Sequence, residues 1–393
     1  MPDLVLCNSQ IFNPHAAQEA GLDQELKTYL AAVLNGPNSV TEGFAKDVGR
    51  QEALDTRFHQ LLSDENTFDG QLYSLLRNVS WRCDDWVLRC YIPELKEALS
   101  GKDCCRKVFK PCVTTQGLCY TAPLTSLLRQ EMEGEYRGVF LLLQVPREIP
   151  QDDLDWSMLN EKVMTSTGLQ VAVKNNVTSA SAAMLSQPFP ITQATKMNNE
   201  LATRGVWPWS VAQCTPPSAS PTRLLTASGN CIFHAFYSDL LLQHNCTLPS
   251  APPVIRDQYR MCTMREMLQH TDQQHTLGST SCATLCHEEK YDASMVSSPL
   301  KSNLHALMPP HHFLLNNTNQ PRFDLATLTV FYPRIIYTEI IQSKPNLFDW
   351  ISSLGGQVGL CIGASVITVL ELIMFILWLI FVCVKGVFRS LLQ

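Results

Sequence analysis

The sequence predicts an α+β fold: a disulfide-rich domain with a β-sheet core and peripheral helices, followed by one membrane-spanning segment near the C-terminus. Three observations carry this expectation. The run from Ile351 to Val384 is free of charge except at Glu371. Thirteen of the 15 cysteines precede that run, as do four Asn-X-Ser/Thr sequons, at Asn78, Asn176, Asn245 and Asn316. Segments of alternating apolar residues are interspersed with segments of helical spacing, the mixture that gives a sheet with helices to one side.

The apolar run is unusual for an anchor. A membrane helix needs roughly 20 apolar residues for a hydrocarbon core of ~30 Å. At ~1.5 Å per residue the run would make a straight helix of about 51 Å. Its first half holds Gly355, Gly356, Gly359 and Gly363, with Gln357, Ser365 and Thr368 among them. Glycine weakens a helix but allows close backbone approach. Non-helical backbone at membrane depth is tolerated only where protein buries it or where it lines water. A glycine-rich, hydroxyl-bearing half followed by a greasy half reads as a pore lining that breaks midway; a plain anchor is the other reading. Glu371 favours the pore, because an acid inside a membrane segment faces a bundle interior or a water-filled path, and a ring of acids attracts cations. Its alternative is a place at the inner rim, snorkelling to water. Lys385 and Arg389 follow closely and place the C-terminal tail in the cytosol, with the cysteine-rich part outside.

Taken in order, residues 23–34 carry Leu26, Tyr29, Leu30, Val33 and Leu34 at helical spacing, stopped by Asn35, Gly36 and Pro37. Residues 57–77 read as further short helices. Cysteines crowd between 78 and 120. Residues 138–145 and 169–174 read as strands, the second with clean alternation. Residues 175–230 are rich in Ser, Thr, Asn and Pro and read as mostly loop. Residues 231–270 look helical in two pieces, with a break at 251–253. Residues 325–332 alternate again and lead toward the apolar run. The organisation expected is a domain over 1–349, a membrane segment over 350–384 and a short tail over 385–393.

Composition excludes other classes. The chain has 393 residues, 45% hydrophobic, with a net charge of −6. That suffices for a folded core, and the mild acidity with no basic-aromatic patch argues against nucleic acid. There is no CxxC and no HExxH, and His311 and His312 are adjacent, so no metal site is expected. No nucleophile signature appears, so no enzyme activity is expected. His244 and His287 are the candidates for a proton sensor, against an ordinary surface role. Met1 to Phe12 has neither a positive n-region nor an apolar h-region, so it is not a signal peptide.

Several motifs together resemble one family. LGGQVGLCIGASVITVLEL resembles the second membrane helix of the degenerin/epithelial sodium channel family, which includes the acid-sensing channels. Gly363, Ala364 and Ser365 match its selectivity filter. FKPCVTTQGLCYT (109–121) resembles its GxCYTF segment, with Ala122 in place of the usual aromatic. TVFYPRIIYTEIIQS (329–343) resembles the last palm strand and the wrist. Pro2, Val5, Cys7 and Asn8 resemble the FPxVxxCN motif that follows the family's first membrane helix, so the chain is expected to begin just after that helix.

The resemblance implies bridges Cys7–Cys119, Cys214–Cys286, Cys231–Cys282 and Cys246–Cys262. Ala235 and Thr280 stand where the family has a further pair, and Leu248 marks a second loss whose partner is also absent. Cys83, Cys90, Cys104, Cys105 and Cys112 remain; five cannot all pair, and spacing does not give the connectivity. The resemblance further implies a homo- or heterotrimeric, amiloride-sensitive, sodium-selective channel of the plasma membrane, with sodium as permeant ion and no cofactor. Ser353 and Gly356 would line the outer gate, Gly359 the amiloride position, and Trp209 would contact the first membrane helix. The family's acid-sensing branch carries an Asp where Met374 stands, so a second acidic ring is not expected. The alternative is a truncated, non-conducting or regulatory single-span protein of the same family.

If residues 1–349 face the outside, glycosidase digestion of surface-expressed chains should lower their mass by the glycans at Asn78, Asn176, Asn245 and Asn316. An unchanged mass with all four asparagines unmodified would contradict the orientation.

Overall fold

The computed structural model describes residues 1–62, 68–127, 130–146, 154–160, 168–175, 178–186, 189–191, 194–203, 240–251, 256, 258–273, 289–298, 323–335, 337–338, 347–362 and 366–391. The chain divides into two compact units. The larger carries both main sheets, and the smaller carries the two C-terminal helices.

One sheet of the larger unit is built from β1 (Asp3–Asn8), β4 (Lys110–Thr114), β5 (Gly117–Ala122), β7 (Leu169–Lys174) and β8 (Phe189–Ile191), in the order β4-β5-β1-β7-β8. Every pairing in it is antiparallel. The other is seven-stranded: β2 (Val87–Tyr91), β3 (Ala98–Ser100), β6 (Val139–Pro146), β9 (Ala194–Thr203), β12 (Glu289–Ser298), β13 (Phe323–Phe331) and β14 (Tyr337–Thr338). Its order is β12-β9-β13-β6-β2-β3, with β14 also on β9. A short parallel pair, β10 (Cys246–Thr247) and β11 (Arg260–Met261), stands apart.

The helices of this unit are α1 (Pro14–Glu19), α2 (Gln24–Asn35), α3 (Glu42–Lys46), α4 (Val48–Leu61), α5 (Phe68–Val79), α6 (Cys83–Trp86), α7 (Gly101–Lys107), α8 (Leu124–Leu127), α9 (Ala180–Ser186) and α10 (Met264–Gln273). Their ends follow local chemistry. The Asp23 carboxylate accepts from the Leu26 amide at 2.9 Å and starts α2. Gly36, at φ 84, stops it in a backbone region that only glycine enters without strain. Asp47 caps α4 by accepting from the Arg50 amide.

β1 explains the architecture. It is the middle strand of its sheet and buried at every residue. Leu4 and Leu6 point into the main core, shared with Leu30 and Leu34 of α2, Phe58 of α4 and Leu76 of α5. Val5 and Cys7 point the other way, into a small cluster with Cys119, Ala172, Ala183 and Met184. A strand covered on both faces has no polar alternation to show. In the main core Tyr29 stacks at a tilt on Phe58, centroids 5.8 Å apart, and its hydroxyl donates to Asp55 at 2.7 Å. Glycine is required again at Gly138, where an added Cβ would lie 2.4 Å from the Val330 carbonyl oxygen.

Three expectations are corrected. Residues 175–230, expected as mostly loop, include α9, β8 and β9 among their described residues. β9 pairs with β12 from Ala194↔Ser298 to Thr203↔Glu289 and with β13 on its other edge. Main-chain ladders satisfy such a strand without an apolar alternation to betray it. Residues 231–270 hold a helical turn at 240–244 and α10, but β10 and β11 lie between them. The helix expected from residue 57 begins at Val48, because α4 buries only Gln51, Leu54 and Phe58, a stripe too narrow to announce its start.

Trp86 tests the core. It is 1% exposed and meets the Tyr120 ring edge-on, centroids 5.7 Å apart. Trp86→Ala should lower unfolding stability by about 3–5 kcal/mol in denaturant titration. Tyr136→Ala, at a residue 95% exposed, should change it by no more than about 0.5 kcal/mol. Similar losses in the two variants would contradict the core assignment.

Candidate functional site

The smaller unit contains α11 (Leu347–Ile362) and α12 (Val366–Leu391). Gly363, Ala364 and Ser365 lie between them, outside the described residues. Ile367–Lys385 of α12 is long and apolar enough to cross a membrane, and its side chains are exposed. α12 continues to Leu391, so residue 384 ends the apolar run and not the helix. Glu371 stands near the N-terminal end of α12, and no Lys or Arg among the described residues pairs with it. Trp378 stacks on Phe375 with centroids 6.3 Å apart, and Lys385 Nζ lies 5.9 Å from the Phe381 ring centre.

On α11, Ser353 and Gly356 are exposed and Gly359 is half-buried. An added Cβ at Gly355 or Gly356 would meet nothing within 4 Å. Crowding within this chain therefore does not require glycine at either position. The apolar surfaces of both helices are large for an exposed patch and call for lipid or another chain.

The cysteine framework lies in the larger unit. Cys7 of β1 and Cys119 of β5 are bridged, 112 residues apart in sequence with Cα atoms 4.5 Å apart. Cys90 of β2 is bridged to Cys104, and Cys83 of α6 to Cys105. The adjacent pair on α7 thus clamps that helix to a strand and to a second helix, leaving Cys112 of β4 as a free thiol. Cys246 and Cys262 are also bridged. They lie beside Glu266, but both sulphurs are spent in the bond and the carboxylate takes Arg260 and Thr263, so no open thiolate remains there for a metal. Cys214, Cys231, Cys282, Cys286, Trp209 and His287 lie outside the described residues, as do Asn176 and Asn316.

Two sequons are described. Asn78 is exposed near the end of α5, two residues before Ser80, which is buried. Asn245 is exposed at φ 52, a left-handed residue that ends the helical turn at 240–244. His244 in that turn accepts from Arg260 through its carbonyl oxygen.

Sequence reasoning missed a charged junction that ties residues 154–160 to the helices. Arg50 of α4 donates to Glu25 of α2 at 2.6 Å and to Asp155 at 2.7 Å. Asp155 also accepts from the Ser157 amide, and its own amide donates to the Thr28 hydroxyl. The Thr41 amide and hydroxyl donate to the carbonyls of Met158 and Ser157. Arg50 and Asp155 are 105 positions apart, and no periodicity links them.

A model of the amiloride-sensitive sodium channel matches residues 1–375, nearly the whole chain. The chain belongs to the amiloride-sensitive sodium channel family. Curated family members similar to it include acid-sensing ion channel 4-B of Danio rerio, 24% identical over 294 residues, 70% of this chain and 50% of that protein. Acid-sensing ion channel 1B of Danio rerio is 25% identical over 335 residues, 79% of this chain and 56% of that one. The bile acid-sensitive ion channel of Mus musculus is 24% identical over 398 residues, 95% of this chain and 72% of that one. The chain thus spans about half the length of the first two. These family members are ion channels and not enzymes. Family membership accounts for the pairing of an apolar C-terminal helix with a cysteine-braced domain.

The junction titrates. Hydrogen bonding from Ser157, opposed by partial burial and aided by Arg50, holds the Asp155 carboxyl below the usual carboxylate range. A lowered folded-state pKa gives stability that is present above the unfolded value of ~3.9 and lost as pH falls through the folded one. The protection of the Thr41 amide relative to its intrinsic exchange rate at each pH should therefore fall as pH drops below ~4. Asp155→Asn should remove that dependence at a cost of about 1–2 kcal/mol. Unchanged Thr41 protection down to global unfolding would contradict the account.

Proposed function

We propose that this chain is a pore-forming subunit of a sodium-selective, amiloride-sensitive cation channel of the plasma membrane, assembled as a homo- or heterotrimer with family subunits. Glu371 carries the reading: it is an acid on an exposed apolar helix, unpaired with any Lys or Arg among the described residues. Such a group is costly against lipid and favourable beside a water-filled cation path. Around a threefold axis, three copies of Glu371 concentrate cations near the inner mouth. Met374 in place of a second acid leaves one ring.

The glycines of α11 support the same arrangement. Their own chain leaves the space beside Gly355 and Gly356 empty, and close approach of neighbouring copies gives the small residues a purpose. Ser353 and Gly356 line the outer gate and Gly359 the amiloride position. At Gly363, Ala364 and Ser365, backbone carbonyls and a hydroxyl replace part of the hydration shell of sodium, the permeant ion. The cysteine-braced domain lies outside the cell, where its bridges persist, and the C-terminus lies in the cytosol.

Reversal potentials in mixed sodium and potassium solutions test this, in cells expressing the full-length protein. Glu371→Gln, which removes charge and keeps shape, should lower sodium conductance on the order of twofold or more with normal assembly. Ser365→Ala and Gly363→Val should change the sodium-to-potassium ratio more than the gating. Unchanged conductance and permeability ratios in all three variants would place the filter elsewhere.

A further inference from the structure

Cys119 has a cysteine on each side. In the sheet order β4-β5-β1 it pairs in register with Cys7 of β1 and, across its other edge, with Cys112 of β4. Directly opposed residues of antiparallel strands share a face, so the three sulphurs form one row across the sheet. Cys112 packs against the same small cluster that holds Cys7 and Cys119. The Cys7–Cys119 Cα distance of 4.5 Å is that of a non-hydrogen-bonded pair. A residue's N–H and C=O face the same strand edge, so the Cys112–Cys119 pair is the hydrogen-bonded kind, with Cα atoms about 5.5 Å apart. That lies within the ~4.4–6.8 Å a disulfide spans.

We propose that this row is a thiol–disulfide exchange site in which Cys119 has two alternative partners. Cys112, as a thiolate, attacks Cys119 Sγ from the side opposite Cys7, in line with the existing bond. A Cys112–Cys119 bond forms, the Cys7–Cys119 bond breaks, and Cys7 leaves as a thiolate that takes up the proton Cys112 gave up. The number of disulfides is unchanged, and no oxidant or reductant is consumed. Two hydroxyls attend the reaction. Thr121 is hydrogen-bonded to Cys112 Sγ at 3.2 Å. Thr114 donates to Cys119 Sγ at 2.9 Å and reaches Cys7 Sγ at 3.8 Å, where it can donate to the departing thiolate. The exchange replaces a tie between distant parts of the chain with one inside the β4–β5 hairpin, and so frees β1 from its covalent hold.

The surroundings set the resting state. Burial pushes the Cys112 thiol up, against the pull of Thr121 and of the cations Lys174 and Arg256. Lys174 is itself paired with Asp3 at 3.2 Å, and Lys110 lies exposed on β4. α9, which covers this face through Ala183 and Met184, brings no titratable side chain. The thiol is therefore protonated at neutral pH, the Cys7–Cys119 bridge is kept, and exchange quickens in mildly alkaline solution.

Alkylation followed by non-reducing peptide mapping of the full-length chain in detergent reads the exchange directly. Chains held at neutral pH and then unfolded in denaturant with excess alkylating reagent should carry the label on Cys112 and the bridge on Cys7–Cys119. After mildly alkaline incubation without reductant, a fraction of molecules should carry the label on Cys7 and a Cys112–Cys119 bridge. Cys112→Ser should abolish Cys7 labelling. Equal Cys7 labelling with and without Cys112 would mean hydrolysis or unfolding and overturn the proposal, as would its absence in the wild type. Cys7→Ser provides an arm that does not depend on the rate: Cys112 and Cys119 should then be recovered bridged. Two free thiols in that variant would overturn the geometry. None of these readouts depends on channel activity.

Discussion

A strand with no polar face dominates the larger unit. β1 gives Leu4 and Leu6 to the main core and Val5 and Cys7 to the opposite cluster, and it is buried along its whole length. The sheet can satisfy it only by placing neighbours on both edges and covers on both faces. β5 and β7 supply the edges, the helical layer covers one face and α9 the other. The Cys7–Cys119 bridge then fixes β1 to β5 across a loop whose closure would otherwise cost chain entropy. A second clamp works similarly nearby, where adjacent Cys104 and Cys105 hold α7 to β2 and α6.

The C-terminal unit obeys a different constraint. α12 exposes a long apolar surface from Ile367 to Val384 interrupted only by Thr368 and Glu371, and α11 carries Gly355 and Gly356, which the chain's own packing does not require. Such a sequence makes physical sense only if lipid covers one side and other chains or water the other. Family membership fits a membrane-spanning C-terminal segment, and the filter, gate and acidic ring proposed above would fall within one continuous stretch of sequence.

Much of this was legible before the structure. β7 announced itself by alternation, and α2 by its spacing, its Asp23 cap and its Gly36 stop. The apolar run and Glu371 pointed to the membrane directly. What stayed hidden had physical causes. β9 is sustained by backbone pairing with β12 and β13, which leaves no mark on composition. The Arg50–Asp155 junction joins residues far apart in sequence, and single charges on a mixed surface carry no period. Which of Cys104 and Cys105 takes Cys90 and which takes Cys83 depends on the face of α7 each occupies, and spacing does not specify that. The filter and gate positions proposed for this chain rest on resemblance, while the glycines and hydroxyls of the apolar run pointed only to a pore lining in general.

Water access along α11 is the most direct test of the central claim. Each residue from Ile351 to Gly359 can be replaced singly by cysteine in the full-length protein and challenged with a charged, water-soluble thiol reagent under voltage clamp. The account predicts that modification at 353, 356 and 359 alters or blocks sodium current, while intervening positions such as Leu354 stay silent. Uniform silence, or modification with no effect on current, would contradict a pore along this helix.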